Sequence, residues 1–136
     1  MSAAVSGGTT PISELIETRV ITVPPDASLE AAADKLAEGE IGAVVVADRE
    51  GIRGVFSERD LVHAVADRRD LVSTKVSEIA NSKLVWCDHS ATVVEVAAEM
   101  MEHYVRHILV EKDGRFVGIV SARDLLGAYT AADMLD

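Results

Sequence analysis

Apolar and polar positions along this chain follow two different periods, and the switches between them mark the elements. Residues 20–23 (Val-Ile-Thr-Val) and 83–87 (Lys-Leu-Val-Trp-Cys) are short β-branched or apolar runs that predict strands. Ser28 and Thr92 then stand where helix N-caps belong, ahead of 29–38 and Val93–His103, both rich in Ala, Glu, Leu or Met. Leu29, Ala32, Ala33 and Leu36 share one helical face, as do Val93, Val96, Ala97 and Met100. Paired strands follow at 43–47 with 52–56 and at 107–111 with 115–120. The segments 48–51 and 112–114 join them as hairpin turns, because Gly and Asp tolerate the positive φ of such connections. A closing helix opens at Ser57 and at Ser121, carrying Leu61, Val62 and Val65 in one case and Leu125, Leu126 and Tyr129 in the other.

The same pattern is written twice. Gly-Ile-Arg-Gly-Val-Phe-Ser-Glu-Arg-Asp-Leu at 51–61 returns without a gap as Arg-Phe-Val-Gly-Ile-Val-Ser-Ala-Arg-Asp-Leu at 115–125, and 13–16 answers to 77–80 as a short leading turn. The expected fold class is α/β (α+β), two tandem β-α-β-β-α repeats. The expected division is a mobile tail 1–11, repeat one 12–67, a charged linker 68–75 without apolar period, repeat two 76–132 and a tail 133–136.

Composition narrows the function. At 136 residues and 49% hydrophobic the chain can bury a core, whereas a repeat of this size alone is marginal, so the repeats are expected to pack together. A net charge of -10 disfavours a nucleic-acid polymer or an anionic membrane as partner. One cysteine forms no internal disulfide, and the opening residues lack both the basic start and the apolar run of a signal peptide. With no apolar run long enough for a membrane helix, a cytoplasmic protein is expected.

The repeated Ser-x-x-Asp has two readings. Ser at the cap can accept the third backbone N–H while Asp reciprocates and favours the helix dipole, a role that needs no ligand. Alternatively, a helix start offers open N–H groups to a phosphate and a carboxylate to a cis-diol, with Gly54 and Gly118 allowing a backbone or a ligand close to the strand. Glu99, His103 and His107 recur every fourth residue, but a helix ending near Tyr104 turns His107 away, and no metal site is expected. His63 reads as a surface or groove residue and Cys87 as a buried small hydrophobe. Met100 and Met101 read as core filler or subunit contact. No paired acid and base or activated nucleophile is present, so no enzyme is expected.

The order of elements, the two Ser-x-Arg-Asp turns, Val20-Ile21-Thr22-Val23-Pro24, Ile41-Gly42-Ala43 and Tyr104-Val105-Arg106-His107 together resemble the CBS domain, a regulatory repeat usually found in pairs. The resemblance covers roughly 12–132 and implies a stand-alone pair related by a pseudo-twofold, with two clefts for adenosine-containing ligands: AMP, ADP, ATP, NAD or S-adenosylmethionine. It implies that Asp60 and Asp124 take ribose hydroxyls, that Ser57 and Ser121 approach phosphate or ribose, and that Val20, Ile21, Val55, Leu84, Val85 and Ile119 enclose adenine, with Thr22 beside them. Arg106 and His107 are implied phosphate contacts, with Arg59 and Arg123 as further candidates. Arg106 and His107 stand opposite Gly42 and Ala43, and Trp86 replaces Thr22, so the two clefts are expected to differ. The resemblance further implies a homodimer through helices containing Ala31, Ala32, Ala33, Ala97 and Ala98, and a separate, unidentified effector protein. The reading is a regulatory adenine-nucleotide sensor, with a ligand-free dimeric interaction scaffold as the alternative.

Overall fold

Each copy of the pattern builds a three-stranded sheet with two helices on one face, as a computed structural model shows for residues 7–16 and 18–135. Side chains of the last helix are described through Ala128; tail positions 1–6 and 136 and the side chain of Tyr129 fall outside the described residues. The chain divides into two compact units, Val20–Leu84 and a second one made of the segments up to Arg19 and from Val85 onward.

The Val20–Leu84 unit contains β1 (Thr22–Val23), α1 (Leu29–Gly39), β2 (Ala43–Asp48), β3 (Gly51–Ser57) and α2 (Glu58–Ala66). The sheet order is β1-β2-β3, with β1 parallel to β2 through the α1 crossover and β3 antiparallel. Ser28 caps α1 as expected, its hydroxyl accepting the Ala31 N–H at 3.0 Å. Val23, Leu29, Ala32, Leu36, Val44, Val46, Phe56, Ala64 and Val76 form the core between helices and sheet. Strand 20–23 is shorter than its apolar run: as an edge strand it pairs on one side only, and beyond Thr22 the ladder gains one bond, Val45 N–H to Ile21 O at 2.9 Å.

Segment 68–75 is stitched to α1 despite having no apolar period. Leu29 N–H donates to Thr74 O at 3.0 Å and Glu30 N–H to Leu71 O at 2.9 Å, so the linker satisfies two amides that the helix cannot. Asp70 holds the turn by accepting from the amides of Val72 and Ser73.

The second unit repeats the plan with β4 (Trp86–Asp88), α3 (Val93–His103), β5 (His107–Lys112), β6 (Arg115–Ser121) and α4 (Ala122–Leu135). Its strand 83–87 is likewise reduced, to Trp86–Asp88 plus a bond from Leu109 N–H to Val85 O. Ile12 joins this core with Val93, Val96, Met100, Ile108, Val110, Val120 and Leu125, while Thr10 O accepts the Val93 N–H at 2.9 Å. Thr10 and Ile12 correspond to Thr74 and Val76, 64 positions on. Each leading segment therefore completes the helix and core of the other repeat rather than of the one it leads. Among the described residues no helix is long and apolar enough to cross a membrane.

Candidate functional site

The two Ser-x-x-Asp turns fold into reciprocal caps. Asp60 N–H donates to Ser57 Oγ at 3.2 Å while Ser57 N–H donates to Asp60 Oδ2 at 2.9 Å; the second copy gives 3.1 Å for Asp124 N–H to Ser121 Oγ and 2.9 Å for Ser121 N–H to Asp124 Oδ2. A third amide is tied back in each case, Glu58 N–H to Gly42 O at 2.9 Å and Ala122 N–H to Arg106 O at 2.8 Å. That leaves the amides of Arg59 and Arg123 as the donors at these helix starts without an acceptor in the helix. Each Asp also keeps a second carboxylate oxygen outside the cap. A donor and an anionic acceptor thus lie side by side at a helix N-terminus, an arrangement that can take a hydroxyl pair and a negatively charged oxygen together. Ser57, Asp60, Ser121 and Asp124 are half-buried, and the side chains of Arg59 and Arg123 are exposed.

Strand alternation sorts the apolar candidates. Ile21 and Val85 pack with the cores of their units, so the structure does not bring them to the other face of the sheet. Val55 and Ile119 do lie on that other face, 9% and 8% exposed and outside both cores. Val20, Thr22, Leu84 and Trp86 alternate with the core-facing residues of their strands; Val20 and Leu84 are half-buried, Thr22 is exposed and Trp86 is 39% exposed. Registered with them are two residues that the sequence reading missed, Val45 between Thr22 and Val55, and Leu109 between Trp86 and Ile119. Both are 1% exposed. They were hidden because 43–47 and 108–110 are continuous apolar runs, in which alternation cannot be read.

The second copy differs as its sequence suggested. Arg106 is exposed just before β5 and His107 is its half-buried first residue, where the first copy has Gly42 and Ala43. The Trp86 ring meets Phe116 edge-on at 5.9 Å and 87°. Gly54 proves to serve a backbone rather than a ligand: a Cβ there would stand 2.9 Å from Asn81 O, and Val55 and Asn81 exchange hydrogen bonds of 3.0 and 2.9 Å. The α3 residues that converge are Glu99, Glu102 and His103, with His103 Nε2 3.2 Å from Glu99 Oε2, while His107 lies on β5 beyond the left-handed Tyr104.

Comparison with known proteins agrees with this architecture. The chain is 27% identical over 115 residues to the CBS domain-containing protein YhcV of Bacillus subtilis, covering 84% of this chain and 81% of the relative. Among solved structures it superposes on the CBS-domain containing protein ATU1752 from Agrobacterium tumefaciens with a TM-score of 0.79, at 38% identity over 90% of this chain and 95% of the other. The CBS domain protein PAE2072 from Pyrobaculum aerophilum, solved in complex with AMP, gives 0.74 at 30% identity, covering 89% and 98%. Residues 12–67 and again 76–131 match the CBS domain family, and the chain belongs to that family as a pair of CBS domains.

Proposed function

We propose that this chain is a regulatory module that binds an adenine nucleotide or a related adenosyl compound and passes its occupancy to a partner chain in the cytoplasm. The observation that carries this reading is the open amide beside a free carboxylate oxygen at each Ser-x-x-Asp helix start. A ribose cis-diol fits Asp60 or Asp124, and Ser57, Ser121 and the amides of Arg59 and Arg123 suit ribose or phosphate oxygens. Val55 with Val20 and Thr22 in the first copy, and Ile119 with Leu84 in the second, are the apolar candidates for contact with adenine, and Arg106 and His107 make the second copy the stronger phosphate site. The AMP complex of PAE2072 supports the ligand class. Binding acts by population shift, limited to the difference in the ligand's affinity between the states it connects.

A melting-temperature screen with AMP, ADP, ATP, NAD and S-adenosylmethionine identifies the ligand; at a hundredfold excess over Kd the stabilisation is about 2.7 kcal/mol. Calorimetry with Asp124→Ala then tests the ribose role, with Asp124→Asn as the companion because it retains an oxygen for the Ser121 amide. Affinity is expected to fall by at least about tenfold in the Ala variant. Affinity equal to that of the parent removes the assignment.

The reciprocal caps also favour a second reading, a ligand-free dimeric scaffold, since they satisfy Ser57, Asp60, Ser121 and Asp124 with nothing bound. Absence of any melting shift at millimolar ligand selects it. In either reading we take the protein as a homodimer. Ala32 and Ala97 are used inside their own units, whereas Val62 and Val65 on α2 are 65% and 56% exposed and Leu126, the α4 counterpart of Val62, is 67% exposed.

A further inference from the structure

We propose that Trp86 is the residue by which the second copy selects its ligand, offering a ring face on which a flat nucleobase stacks. The inference rests on the sensor reading for the class of ligand and adds which copy reads the base. Alternate residues of a strand share a face, so His107, Leu109 and Glu111 of β5 stand on the side of the sheet away from Ile108 and Val110 in the core. Their register partners on β6 are Ser121, Ile119 and Phe116, and Trp86 of β4 pairs with Leu109. The face therefore changes character along the strands. Ser121 and His107 form a row at the end where Asp124 opens α4, and the row of Trp86 lies two residues further on, about 7 Å. A ribose held at Asp124 with its base directed along the sheet meets that row.

Within the row, Leu109 and Ile119 are already closed, at 1% and 8% exposure, whereas Trp86 keeps 39%. Its open apolar surface is the indole. Phe116 meets this ring edge-to-face, which restrains it and covers at most one of its two faces. A ring held in this way has little freedom left to lose when a base stacks on it.

The duplication supplies an internal control. Where the second copy has Trp86, Leu109, Ile119 and Phe116, the first has Thr22, Val45, Val55 and Ile52. Two aliphatic positions stay aliphatic, while the other two change together into an aromatic pair. Thr22 pairs with Val45 as Trp86 does with Leu109 and is exposed, so the strand itself does not ask for a ring there. The first copy can hold ribose and phosphate at its Ser57–Asp60 turn without a ring to read the base. The second distinguishes a nucleotide from its bare ribose phosphate.

Trp86 is the only tryptophan of the chain, so its emission reports the second copy alone. Titration of the full chain with AMP and with S-adenosylmethionine is expected to quench that emission, whereas ribose 5-phosphate leaves it unchanged. In calorimetry Trp86→Ala is expected to bind both adenosine compounds about tenfold more weakly or worse, with ribose 5-phosphate bound as by the parent. Trp86→Phe keeps a ring and stays closer to the parent, and circular dichroism verifies the fold of both variants. Binding by the parent without quenching overturns the proposal, as does equal affinity in Trp86→Ala. Tighter binding in Trp86→Ala also overturns it, because the indole would then be a plug that the ligand displaces. So does a loss as large for ribose 5-phosphate as for AMP, which would assign Trp86 to the fold rather than to the base. A parent that none of the adenosine compounds in the melting screen stabilises removes the sensor reading and this inference with it, an outcome distinct from binding without quenching.

Discussion

Cys87 shows how one side chain is set by its surroundings. It is half-buried against the core containing Val93 and Val96, and burial pushes its thiol up to about 11, with Asp88, Glu99 and Glu111 adding repulsion against a thiolate. Only the thiolate reacts, and the greater nucleophilicity of a more basic thiolate offsets part of its scarcity, so alkylation by iodoacetamide at pH 8 is expected to be about tenfold slower than for a free cysteine. Mass spectrometry of the time course checks this, and a rate equal to that of free cysteine contradicts it. The sign for stability follows. The fold favours the protonated thiol, so this contribution is complete below pH 9.0 and is lost as pH rises through the window to about 11. The sequence reading of Cys87 as a buried small hydrophobe is met in part, since the side chain packs against the core but stays half-buried. The acidic surroundings were not legible in the sequence, because Glu99 and Glu111 come from α3 and β5.

At the scale of elements, caps and hairpins were readable because their rules are local. Ser28, Ser57, Thr92 and Ser121 all cap helices, and Gly51, Asp113 and Gly114 take the positive φ expected of the turns. Gly54 is different, since its reason is a chain segment 27 positions away at Asn81. Gly54→Ala must displace backbone rather than a flexible side chain, so a loss of about 1–3 kcal/mol is expected from chemical denaturation. A variant as stable as the parent shows that the Val55–Asn81 bridge yields without cost. The candidate site divides in the same way. Its hydrogen-bonding part lies within four consecutive residues, while its apolar part needed the register that sets Val45 between Thr22 and Val55.

At the scale of the whole molecule, the proposed homodimer is open to direct measurement. Sedimentation velocity at micromolar concentration is expected to give twice the 14.5 kDa chain mass, falling to 14.5 kDa when Val62→Glu and Leu126→Glu are combined. A parent that sediments as a single chain removes the dimer. The 64-residue offset by itself determined that there are two copies, the order of their elements and the helix starts that carry Ser and Asp, because periodicity and capping depend on near neighbours in sequence. The tertiary structure alone decided that Ile12 and Val76 complete the cores of the copies they do not lead. It also decided that Ile21 and Val85 turn inward while Val45 and Leu109 take the other sheet face. Burial and register are properties of partners distant in the chain, and an exact duplication copies a segment without recording which copy it will pack against.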